Sequence, residues 1–202
     1  MKEKEYLKYI QQNSWFHGTT LKNWKRLCKS GVLCEYNRGL ESDFGYGFYL
    51  APKEKQARNY IERILPYMPI ADEDKIPVVI EFSLNIETLL KQGYKHKVFR
   101  SFDEEFAEFV AMCRLHPEEK MHNYDFVIGV MTDSNPLKLI SDYRSGTISE
   151  EELHQGLMKW NSMEQISLHN QEICDTLRVV RVYNVNEEKE ENANEYYKRF
   201  VL

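Results

Sequence analysis

The sequence predicts one α+β domain, and three observations carry that reading. Strand-like and helix-like segments alternate irregularly, not as regular βαβ units. No internal repeat and no Pro/Gly/Ser-rich linker divides the 202 residues. A hydrophobic content of 42% suffices for one sizeable core and excludes global disorder. The core is expected over about 14–185, and the charge-dense stretch 186–202 reads as a solvated helix or frayed end.

The elements follow in chain order. The opening MKEKEYLKYIQQN is a charged amphipathic stretch lacking the apolar centre of a signal peptide. SWFHGT (14–19) reads as a short strand that opens into a turn at Gly18. Thr20 then caps a helix whose Leu21, Trp24, Leu27 and Cys28 keep helical spacing, with Gly31 as its stop. Residues 35–47 are a loop ending DFGYG, and GFYLA is the next strand. Pro52 suits the first turn of a helix over 52–65 that sets Ala57, Tyr60, Ile61 and Ile64 on one face. A polar loop spans 66–76, PVVIEFSL (77–84) is a strand, and HKVFR (96–100) is its expected partner. The helix over 103–115 turns Phe106, Phe109, Val110 and Cys113 inward, and DFVIGVM (125–131) is a buried strand. Helices over about 136–144 and 149–160 come next, the second opened by a Ser149/Glu152 capping box. EQISLH (164–169) and LRVVRVYNV (177–185) are strands joined by a short helical turn.

Composition excludes several classes. With 27 Lys+Arg against 32 Asp+Glu, the net charge of −5 argues against a protein that coats nucleic-acid phosphates. Lys22, Lys25, Arg26 and Lys29 make a local basic patch that leaves nucleic acid open as an acceptor, although a solvated helix face explains it better. No apolar run approaches the ~20 residues of a membrane span, so no membrane partner is expected. Cys28, Cys34, Cys113 and Cys174 show no CxxC spacing, which suits reduced thiols in a cytoplasmic protein. No metal is expected: His116 and His122 flank a Pro/Glu-rich loop, and no histidine pair has the i, i+4 spacing of a helical zinc site. Gly45-Tyr46-Gly47 precedes a strand, whereas a dinucleotide-binding glycine motif follows one.

Three segments remain. His17-Gly18-Thr19 closes the first strand, Gly45 to Ala51 leads into the second, and Tyr60 lies eleven residues beyond Tyr49. In the third, Gln165-Ile166-Ser167-Leu168-His169, alternation sets Ile166 and Leu168 on one face and Gln165, Ser167 and His169 on the other. Singly these read as a turn histidine, ordinary core aromatics and an edge strand. In this order they resemble the ADP-ribosyltransferase clan of the diphtheria-toxin and poly(ADP-ribose)-polymerase type. That clan carries His-Gly-Ser/Thr, then G-x-G-[IF]-Y-[FL]-A, a second Tyr eleven residues later, and a Glu opening a late strand. The chain over about 14–185 is similar to a bacterial family of unknown function in that clan. The shared features are Asp43 to Leu50, Gln56-Ala57, the 103–110 helix, Tyr124 to Gly129, and Gln165 to His169.

The resemblance implies a split β-sandwich of the ADP-ribosyltransferase type with flanking helices, NAD as substrate, and transfer of one ADP-ribose to a protein or nucleic-acid acceptor. It also implies a bacterial toxin or effector, with an antitoxin or immunity protein as partner. His17 would bond the adenine-side ribose, the Gly18 backbone would take the nicotinamide carboxamide, and Tyr49 and Tyr60 would sandwich the ring. Thr19 fills the small hydroxyl position, and Gly45 and Gly47 would let the backbone pass close to ligand. The chain departs from the pattern where the late-strand Glu is expected. Counting back from Val179, Val180 and Val182 puts Gln165 there, and Glu164 takes its place only after a slip of one residue. Gln165, His17 and Tyr49 are thus the candidate catalytic residues, with Glu164, Glu104 and Glu105 as auxiliary carboxylates. The alternatives are a weakened NAD- or nucleotide-binding module and an NAD glycohydrolase.

Overall fold

In a computed structural model, residues 3–10, 13–40, 42–132, 136–186 and 189–191 are described. Helix α1 (Glu3–Ile10) leads into β1 (Ser14–Thr20) and α2 (Leu21–Ser30), followed by β2 (Phe48–Leu50), α3 (Glu54–Ile64), β3 (Pro77–Ser83) and α4 (Ile86–Lys91). Next come β4 (His96–Phe99), α5 (Glu104–Leu115), β5 (Phe126–Val130), α6 (Pro136–Arg144) and α7 (Glu150–Leu157). The chain then runs through β6 (Glu164–Leu168), α8 (Gln171–Thr176), β7 (Arg178–Asn184) and β8 (Lys189–Glu191).

The strands form two sheets, β1-β3-β7-β8 and β2-β6-β5-β4. Every pairing is antiparallel except β4 with β5. One face of each sheet buries the same core. Trp15, Val78, Ile80, Phe82 and Val182 from the first sheet join Phe48, Leu50, Phe126, Ile128, Ile166 and Leu168 from the second. Each strand therefore keeps period-two alternation, because one face meets the opposite sheet and the other meets helices. On the outer face of the second sheet, Val127 packs with Phe106 and Val110 of α5, Ile140 of α6, and Leu153 and Leu157 of α7, and Val130, where the alternation ends at the last residue of β5, joins the same cluster. On the outer face of the first, Ala57 of α3 packs with Val79 and Tyr183. The result is an α+β architecture of two packed sheets with helices on both outer faces.

Local chemistry sets most element ends. Thr20 Oγ1 accepts from the Asn23 N–H at the start of α2, and Gly31 closes that helix. Asp103 caps α5 through the Phe106 N–H, and the Ser149/Glu152 capping box opens α7.

Five readings need correction. β1 runs through Gly18 to Thr20 without a turn, because all seven residues pair with β3. α3 begins at Glu54, not Pro52, because Ala51 is still bridged to Phe16 and the chain needs two residues to leave that extended conformation. Tyr60 does not share the buried face of Ala57 and Ile61; it is 43% exposed. Strand 96–99 pairs in parallel with β5 instead of joining 77–83. Finally, Lys189–Glu191 is no solvated helix: it pairs with Val182–Asn184, as charged residues on a sheet edge do. Residues 187–188 and 192–202 of the predicted tail lie outside the described part. Two helices carried weak signals. α1 buries Tyr6, Leu7 and Ile10, and α4 is capped by Asn85 through the Thr88 N–H.

Candidate functional site

Among the described residues, the two sheets touch along β1 and β2 at a single bridge. The Phe16 N–H donates to the Ala51 carbonyl at 2.8 Å, and the Ala51 N–H donates to the Phe16 carbonyl at 2.7 Å. In an antiparallel strand, backbone groups two residues apart turn to the same edge. The N–H and C=O of Gly18 therefore face the β2 side, where the second strand has already turned away at Pro52. Gly18 is buried, and its backbone donor and acceptor face the split without a strand partner on that side.

Gly18 also has a packing role. A Cβ there would lie 2.2 Å from the Ala57 carbonyl oxygen and 3.1 Å from Ile61 Cβ, so the missing side chain is what lets α3 lie against β1. His17 stacks on Phe48, with ring centroids 4.6 Å apart. Its Nδ1 donates to the Tyr49 carbonyl at 2.9 Å, which assigns the proton to Nδ1 because a carbonyl only accepts. Burial holds the His17 pKa below the usual histidine range, and the bond to Tyr49 offsets this only in part. The neutral ring keeps Nε2 as an acceptor that is not sealed from solvent. Thr19 is buried next along the strand, opposite Val78.

The loop 43–47 is held from all sides. Tyr49 Oη donates to the Gly45 carbonyl at 2.6 Å and accepts from the Phe44 N–H at 3.0 Å. His122 Nε2 donates to the Phe44 carbonyl at 3.0 Å, and His169 Nδ1 donates to the Tyr46 carbonyl at 2.8 Å. His169 Nε2 then accepts from Ser167 Oγ at 2.7 Å. Gly45 has φ +78°, and a Cβ on Gly47 would lie 2.8 Å from the His169 ring. Both glycines are thus required by the chain's own geometry.

Strand β6 carries the third segment. Ile166 and Leu168 enter the core between the sheets, so Gln165 and Ser167 point to the other face, beside Tyr49, which is paired with Ser167. Gln165 Nε2 donates to Asp43 Oδ2 at 2.8 Å. Asp43 Oδ1 also accepts from Arg114 Nε at 3.0 Å, Arg114 Nη2 at 2.5 Å and Thr132 Oγ1 at 2.7 Å, while Oδ2 accepts the Thr132 N–H at 3.0 Å. All four residues are buried. The charges of Asp43 and Arg114 reach both candidate tyrosines. Burial raises the pKa of Tyr49, with Asp43 adding to it, and partial desolvation against the protein raises that of Tyr60 although the residue is 43% exposed, so both rings stay neutral.

The candidate carboxylates do not gather here. Glu104 bonds His154 Nδ1 at 2.5 Å, and Glu105 pairs with Lys97 on β4, the edge of the sheet farthest from β2. Glu164 contributes its carbonyl to Gln56 Nε2 at 2.7 Å, and alternation turns its side chain away from Gln165. The carboxylate that does meet Gln165 is Asp43, to which sequence reasoning gave no role. Its partner Arg114 carried a signal: it falls at i+7 from Ala107 and i+4 from Val110, a charge on an apolar stripe. Among the described residues, no group of three or more His, Cys, Asp and Glu is placed to hold a metal. No helix of the described residues is long and apolar enough to cross a membrane. The four cysteines are free and buried.

Two surface concavities lie elsewhere. One of about 540 Å³ is lined by Lys95, His96, His122, Asn123 and Tyr124. The other, of about 270 Å³, is walled by Lys22, Lys25, Arg26 and Lys29 against Glu73 and Asp74, with Lys22 bonded to Asp74 at 2.5 Å. Its acidic wall offsets the basic patch.

Residues 35–179 match a family described as "Protein of unknown function (DUF3990)". No curated protein and no solved structure matches the chain.

Proposed function

The chain belongs to the DUF3990 family, and we propose that it binds NAD at the split between β1 and β2 and transfers ADP-ribose to a macromolecular acceptor. The observation that carries this reading is the unpaired strand edge at Gly18, beside His17, whose ring bonds the Tyr49 carbonyl, with Gln165 on the neighbouring strand β6 bonded to Asp43. A primary amide such as the nicotinamide carboxamide has one donor face and one acceptor, the complement of a free backbone C=O and N–H. Tyr60 offers an exposed neutral ring on α3 for stacking, worth roughly 0.5–1.5 kcal/mol beyond area burial. His17 Nε2 and Gln165 Oε1 are acceptors for ribose hydroxyls.

In the reaction, the bond between the ribose anomeric carbon and the pyridinium nitrogen breaks. Its electron pair leaves with neutral nicotinamide. The acceptor's nucleophile then bonds the anomeric carbon and gives up a proton. The developing charge is oxocarbenium-like, and hydrogen bonds to the ribose hydroxyls tighten as it forms. Role and location extend the same proposal: a cytoplasmic bacterial toxin or effector, restrained by an antitoxin or immunity protein.

A second reading rests on the amide at position 165. Gln165 brings no charge to the oxocarbenium, and Asp43 is already paired with Arg114. Loss of one preorganised stabiliser costs about 10²–10³ in rate, which favours an NAD-binding module or a slow enzyme. Incubation with NAD labelled in the adenylate separates the readings. Label on protein or nucleic acid supports transfer, and nicotinamide release without it makes the chain a glycohydrolase. Protection against melting with neither product leaves a binding module. No NAD effect of any kind refutes the proposal.

A further inference from the structure

We propose that Asp43 is the positioning residue that fixes which end of the Gln165 amide faces the ligand. This rests on the NAD reading of the site. The Asp43 carboxylate, in its ion pair with Arg114, only accepts hydrogen bonds. Five reach it: two from Arg114, two from Thr132 and one from Gln165 Nε2. Turning the Gln165 amide over would set Oε1 where Nε2 now lies, 2.8 Å from a carboxylate oxygen, replacing a hydrogen bond by a repulsion. The orientation is therefore locked, with Nε2 inward. Oε1 takes no partner among the described residues and is not sealed from solvent. β6 thus presents a neutral acceptor of fixed polarity, suited to a ribose hydroxyl and not to a group that must itself accept.

The same contact explains why the side chain at 165 is an amide. A glutamate there would set a second carboxylate against Asp43 Oδ2, while Arg114 holds the other oxygen, Oδ1. Two carboxylates at that distance raise the pKa of one of them, so the pair holds a proton into the neutral range. While it does, the protonated carboxyl introduced at position 165 donates to Asp43 and leaves its carbonyl oxygen facing the ligand, as Gln165 does. When the proton leaves, the two repel and the acceptor is displaced. Residue 165 is thus subordinate to Asp43, through a bond that spans 122 positions of sequence.

The test is Gln165→Glu, which leaves the Asp43–Arg114 pair intact. NAD affinity is measured by calorimetry on wild type and variant between about pH 5.5 and about pH 8.5, with the melting temperature recorded in parallel without ligand. The ionisable groups around the contact are Arg114 and Cys113 on α5, Tyr49 on β2 and Tyr60 on α3. Cys113 is pushed up to about 12 and both tyrosines are raised, while His17 is held low. None of these last four titrates in the upper part of the range, so wild-type affinity is expected to stay level there. The variant is expected to bind within about threefold of wild type at the acid end and to lose about tenfold or more at the alkaline end. Its melting temperature should fall away from wild type over the same interval.

Identical affinity profiles for the two proteins would overturn the positioning role, and so would a constant offset between them. Should wild type bind no NAD at any pH, the functional reading fails and the ligand-facing role fails with it. A pH-dependent gap in melting temperature would then mark the Asp43 contact as purely structural.

Discussion

Gly18→Ala tests the packing of α3 on β1. The new Cβ would lie 2.2 Å from the Ala57 carbonyl oxygen, well inside an ordinary contact. That oxygen is backbone in the first turn of α3, so it cannot rotate away as a side chain would. Ile61 Cβ at 3.1 Å blocks escape toward the next turn. The helix must therefore lift from the sheet, parting the buried Ala57 and Ile61 from the strand. Overpacking of this kind costs about 1–3 kcal/mol, and contact with fixed backbone argues for the upper half. For a chain of this size each kcal/mol lowers Tm by about 2–4 °C, so a fall of about 4–12 °C is expected. The shift carries Tyr60 with the helix, so NAD binding should weaken although no ligand-facing atom was removed. Thermal unfolding followed by circular dichroism gives the first quantity and calorimetry the second. A variant melting within a degree or so of wild type would refute the claim that Gly18 sets the seating of α3.

Further predictions follow from the site and its supports. Tyr60→Ala should abolish the NAD-induced rise in Tm while changing ligand-free stability by under about 0.5 kcal/mol, because the ring is 43% exposed. Tyr49→Phe should do the reverse first, costing about 1–3 kcal/mol, since it strips the hydroxyl that serves Gly45 and Phe44; denaturant titration measures both. Arg114→Met leaves Asp43 buried without its cation and should cost about 3–5 kcal/mol in the same titration. Acid should destabilise the fold early. His169 is held down to about 3 by burial and His122, while an unfolded chain returns it to the ordinary histidine range. The unfolded state then binds more protons, so stability is full above about pH 6.5 and falls as pH drops toward about 3. His169→Gln should flatten that slope in Tm against pH.

Local pattern made much of this molecule legible. Helix caps at Thr20 and Ser149 and the alternation through Ile166 and Leu168 depend on neighbours a few residues apart, and the structure repeats them. What was not legible is set by distant pairing. The β4 strand looks the same in sequence whether it joins β3 or β5; the partner is decided by which sheet β5 enters. Asp43 and Arg114 stand 71 residues apart, and nothing in either segment's periodicity announces the other. Glu104 and Glu105 read as available charges because His154 and Lys97, which hold them, lie on other elements.

The single bridge at Phe16 and Ala51 has a mechanical consequence. Beyond it the two sheets share a packed core but no backbone stitching along β1 and β2, so the split is a seam. A ligand whose amide engages the Gly18 backbone would act as a short prosthetic strand, closing the seam on one side. The amide hydrogen of Gly18, buried but without a strand partner, should then exchange faster than those of its neighbours in the ligand-free protein and slow once the seam is filled, while His17 and Thr19, already paired to β3, stay slow in both states.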